Sequence, residues 1–178
     1  MLRDGSLGNV RRFFAGMTEY AFFCRLGVTD PPLIDYISEL LTRFVYQDQV
    51  FRLRTPTGKR LDQVVDMLTE AQLRQGLARR DVHRHIGDFT LFWTGVYPEA
   101  VEHLRGGRKD SLVDYRAQGK RAYQIASSIP TDPDDIAGTI LERLSVQFEL
   151  CAYGLGEVRR EWERRDDGGD APLPLWGS

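Results

Sequence analysis

Apolar residues recur every three or four positions over most of the chain, the spacing of helices that bury one face. Val10, Phe13, Phe14, Met17, Tyr20, Ala21 and Cys24 share such a face. Ser6 or Asn9 caps this first helix, which ends near Gly27. Asp30 followed by Pro31 marks a second start, an N-cap acid with proline in the first turn. The second helix carries Leu33, Ile37, Leu40, Leu41 and Phe44 on one stripe.

The pattern weakens over residues 46–60. Val50, Phe51 and Leu53 are apolar, but Thr55-Pro56-Thr57-Gly58 is a turn cluster, so a short irregular or extended connection is expected. A third helix points Leu61, Val64, Val65 and Leu68 inward and either continues through Ala71 and Leu73 or breaks near Gly76. A fourth, from about Leu77 to Thr94, aligns Val82, Ile86, Phe89 and Trp93 and stops at Gly95. Pro98 opens a short helix that ends before Gly106-Gly107, and Asp110-Ser111 caps one over about Leu112 to Ser127. The last helix, about Pro133 to Arg165, aligns Ile140, Leu144, Phe148, Cys151, Leu155, Val158 and Trp162. No stretch alternates with period two for long enough to build a sheet. The fold class is therefore all-α: a single-domain irregular bundle of six or seven helices over residues 1–165, followed by a flexible tail, 166–178.

Of the 178 residues, 42% are hydrophobic, enough to build a core and to exclude a disordered chain. Lys and Arg total 24 against 26 Asp and Glu, which gives no basic footprint for nucleic acid. No apolar run approaches the roughly 20 residues of a membrane helix, and the N-terminus has no apolar signal segment. A soluble cytoplasmic protein without a membrane partner is expected. Cys24 and Cys151 form no CxxC pair and sit on core faces, where a thiol is a small inert hydrophobe. Neither a GxSxG elbow nor a phosphate-binding glycine loop is present.

The segment His83-Arg84-His85 invites a metal reading, but residues two apart on a helix point away from each other. Asp81, His85 and Asp88, at i, i+4 and i+7, lie along one edge and suit a divalent transition metal with further ligands from elsewhere. Glu19, flanked by aromatics on the outer side of the first helix, is a further candidate; Glu149 faces away from the core and is discounted. The simpler alternative has Asp81 or Asp88 orienting a packed His85, with Arg84 paired to Asp88.

Two apolar features lie off the core stripes. Phe22, Phe23 and Leu26 occupy the other side of the first helix, which is then either central or an oligomer interface. Leu175 and Trp176 place a docking motif in the tail. Arg116, Lys120 and Arg121 edge a helix whose inward stripe is Tyr115, Gly119, Ala122, Tyr123 and Ala126. The leading reading is a non-enzymatic interaction or accessory protein with a protein partner or a second copy of itself and no cofactor. The second is a metal- or small-molecule-binding protein, an oxidoreductase in its catalytic form, built on Asp81, His85 and Asp88. The third is RNA binding through Arg116, Lys120 and Arg121.

Overall fold

Helix follows helix through residues 3–166, the portion of the chain that the computed structural model describes. The α-helices are α1 (Arg3–Glu19), α2 (Pro31–Phe44), α3 (Gln47–Val50), α4 (Val64–Leu73), α5 (Gly76–Val96), α6 (Pro98–Arg105), α7 (Tyr115–Ser128), α8 (Gly138–Val146) and α9 (Phe148–Asp166). The all-α class holds. The helices number nine among the described residues rather than six or seven, because α3 is a short addition and the last expected helix is two. Leu144, Phe148, Cys151 and Leu155 keep one apolar phase across the break at Gln147, which is why periodicity alone merges α8 with α9. No helix among the described residues is long and apolar enough to cross a membrane.

Several starts follow the local chemistry. The Asp30 carboxylate accepts the Leu33 N–H at 3.3 Å and Pro31 opens α2. Pro98 opens α6, which ends before Gly106. Asp110 does cap a helix, but not its neighbour. Its two carboxylate oxygens accept from the Val64 and Val65 N–H groups at 2.8 and 2.9 Å, capping α4 from across the fold, while Asp114 caps α7. The Tyr115 hydroxyl also donates to Asp110 at 2.8 Å. The first helix begins at Arg3, so Ser6 and Asn9 lie inside it rather than capping it.

The end of the first helix corrects the expected faces. After α1 the chain makes a π-helical turn, Tyr20–Arg25. Each residue of such a turn advances by less than the roughly 100° of an α-helix, so later side chains lag behind the α phase. Phe22 thereby swings into the core at 0% exposure, where its ring fills the space a side chain at Gly154 would take. Tyr20 and Cys24, placed inside by α-helical spacing, face solvent instead. Cys151 is buried as expected, and burial pushes its thiol pKa up to about 12.

The central element is α5, which packs against α7, α9, α4 and α2. Fourteen of its residues, from Arg80 to Val96, are buried, covering every side of the helix. Close approach depends on glycines. The Tyr123 ring of α7 lies against Gly87, and Leu155 of α9 lies against Gly95. Gly95 is thus a packing notch inside α5 rather than its stop.

Candidate functional site

Because α5 is buried all round, its polar residues must find partners inside the protein. Asp88 is fully buried. One carboxylate oxygen accepts from Tyr36 Oη at 2.6 Å and from Tyr123 Oη at 2.8 Å; the other accepts from an Arg43 terminal nitrogen at 3.1 Å. Burial alone raises the pKa of this acid, but Arg43, Arg84 and the two hydroxyls outweigh it and hold Asp88 below the usual carboxylate range. Burial, reinforced by the charge on Asp88, pushes both tyrosine pKa values up, so the phenols remain donors.

Arg84 sits one turn before Asp88 yet does not hydrogen-bond to it. Its Nε donates to Tyr36 Oη at 3.0 Å, its guanidinium lies over the Tyr36 ring at 5.4 Å, and it forms a longer ion pair with Asp135 at 3.8 Å. Arg80, buried, ties the segment ahead of α8 to α5. It donates to Ala126 O at 3.2 Å, to Asp135 at 2.9 Å and to Ile136 O at 2.5 Å. Three guanidinium groups therefore share two carboxylates in this network.

The network borders a cleft of about 490 Å³ between α2, α5 and the start of α8. Arg43 and Arg84 line it with Tyr36; Pro32, Ile136 and Ile140 supply an apolar wall; Asp35 and Glu39 stand along α2. Its volume falls within the roughly 300–1,000 Å³ of small-molecule sites. Each guanidinium carries five N–H donors. Apart from the Arg84–Asp135 ion pair, Arg43 and Arg84 each use one of them on a partner among the described residues, so both retain donors beside the cleft.

The residues singled out by sequence spacing are placed differently. Asp81 is held in a two-pronged pair by Arg52, at 2.8 and 3.0 Å, and His85 packs between Phe44 and Phe89. Neither His85 ring nitrogen has a hydrogen-bond partner of normal geometry, although the Val50 backbone is near enough to favour the protonated ring slightly. Burial, then Arg52, pushes its pKa down to about 4. Neither carboxylate orients His85, and Arg84 pairs with Tyr36 and Asp135 instead of Asp88. Among the described residues no three His, Cys, Asp or Glu side chains form a group that could hold a metal ion. Glu19 is exposed at a separate cleft of about 260 Å³ that it shares with Phe23, Ile34 and Asp35.

Of the expected interface residues, Phe22 belongs to the core, Leu26 is half-buried and Phe23 is 53% exposed. Leu175 and Trp176 lie outside the described residues. Arg116 and Arg121 are exposed beside the buried stripe of α7, while Lys120 pairs with Glu149 at 2.9 Å. Spacing missed Tyr36, Arg43 and Tyr123 as partners of Asp88. The available signal was an acid within the apolar block of α5 and a tyrosine and an arginine seven residues apart, hence on one face, within the apolar α2. No protein-family model, no curated protein and no solved structure matches this chain.

Proposed function

We propose that the chain is a small-molecule-binding helical protein and that the cleft between α2, α5 and the start of α8 takes a carboxylate with an apolar body. The observation that supports this reading is the set of unused guanidinium donors of Arg43, held by buried Asp88, and of Arg84, held by Tyr36 and Asp135, beside an apolar wall. A planar guanidinium matches the two oxygens of a carboxylate, and a charge-assisted pair of this kind is roughly twice as strong as a neutral hydrogen bond. Pro32, Ile136 and Ile140 give the rest of the ligand a surface to leave water for. The metal-site reading has no comparable support, since Asp81 and Asp88 already have strong partners.

The test is calorimetric titration with isocaproate and with its methyl ester. Isocaproate is expected to bind saturably to the wild-type chain and the ester to bind at least about tenfold more weakly, because the ester lacks the charge that Arg84 and Arg43 recognise. Arg84→Met is expected to abolish the difference while leaving the circular dichroism unchanged. Equal binding of acid and ester, or none of either, overturns the reading.

A further inference from the structure

The same cleft carries a second, opposite charge that has no partner. Asp35 lies on its α2 side, is exposed, and makes no hydrogen bond or ion pair with any described residue. The other acid in the lining, Glu39, is paired with Arg11. Asp35 and Tyr36 each stand three or four residues from Pro32 and from Glu39, and Arg43 follows Glu39 by four, so the side of α2 that lines the cleft carries the free carboxylate next to Tyr36 and Arg43. Arg84 reaches that face by stacking on Tyr36, the residue next to Asp35. The cleft thus offers a cationic floor, an apolar wall and an anionic lip.

We infer that the ligand is a zwitterion, an amino acid with an aliphatic side chain. Its carboxylate meets Arg84 and Arg43, its ammonium meets Asp35, and its side chain lies on Ile136 and Ile140. The inference rests on the carboxylate reading above and adds the amine. Three groups also explain selectivity: a ligand lacking the amine leaves Asp35 facing the cleft without a counter-charge, and one lacking the apolar body leaves the isoleucines wet.

The experiment compares leucine with isocaproate, which is leucine without its amine, on the wild-type chain and on Asp35→Asn, by calorimetry at fixed low ionic strength. Asp35 is exposed and unpartnered, so Asp35→Asn keeps the fold. Leucine is expected to bind about tenfold or more tightly than isocaproate to wild type, the usual scale of one charge-assisted contact. Asp35→Asn is expected to erase that advantage, with isocaproate binding at least as tightly as to wild type because a like charge has left the cleft. Isocaproate binding at least as tightly as leucine, or Asp35→Asn leaving leucine unaffected, overturns the zwitterion while the carboxylate reading stands. Failure of both compounds to bind wild type overturns the two together.

Discussion

Gly87→Ala tests whether the Asp88 centre depends on its glycine seat. A Cβ at position 87 would lie 2.6 Å from two carbons of the Tyr123 ring, where ordinary contact begins near 3.4 Å. The ring must therefore retreat by about 0.8 Å. Tyr123 Oη donates to Asp88 at 2.8 Å, and a retreat of that size takes the bond to the limit of useful geometry. Overpacking costs about 1–3 kcal/mol, and weakening a hydrogen bond to a buried charge costs about 1.5–3 kcal/mol. Against these, alanine gains about 1 kcal/mol over glycine in a helix interior. The expected net loss is about 1.5–5 kcal/mol. Urea unfolding at neutral pH, followed by circular dichroism, measures it. Tyr123→Phe supplies the second arm: in that background the hydrogen bond is already gone, so Gly87→Ala should cost less by the bond's share. A Gly87→Ala chain as stable as wild type, or more stable, refutes the seat.

His85 should make the protein acid-sensitive. Its folded pKa of about 4 lies below the value of 6.5 of a free imidazole, so the unfolded chain binds the proton first. The associated stability is complete above about pH 6.5 and falls as the pH drops toward 4, by roughly 3 kcal/mol across the window. His85→Leu, which also removes two unpartnered ring nitrogens, should make that part of the pH profile shallower in thermal melts, leaving the share of His83, whose pKa burial also pushes down to about 4; an unchanged slope contradicts the burial assignment. The π-helical turn makes a paired prediction. Phe22→Ala should cost about 3–5 kcal/mol as a core truncation, while Phe23→Asp, on the exposed side, should change stability by less than about 0.5 kcal/mol. Equal effects in denaturant unfolding would contradict the phase shift.

The residues read correctly from sequence are those whose signals are local. Asp30-Pro31 starts a helix because capping acid and proline act within one turn, and Tyr115, Gly119, Ala122, Tyr123 and Ala126 are buried because their spacing fixes one face. What failed is longer in range or finer in geometry. Asp110 has the chemistry of a cap, yet the N–H groups it satisfies belong to α4, 46 and 45 residues away. Tyr20, Phe22 and Cys24 exchange their expected sides because a single wide turn changes the angle per residue, which composition does not announce. At the candidate site, Asp88 was visible as an unusual acid, but spacing within α5 paired it with Asp81 and His85. Its partners come instead from α2 and α7, and only packing brings them together.

The most direct test is to watch the two guanidinium groups while a carboxylate is added. In a nitrogen-labelled chain, the Nε–Hε resonances of Arg43 and Arg84 can be followed by heteronuclear NMR during titration with isocaproate. Both should shift saturably with one common dissociation constant, and Asp88→Asn, which removes the group that holds Arg43, should weaken that constant. Resonances that stay fixed while isocaproate approaches its solubility limit would contradict a carboxylate-binding cleft.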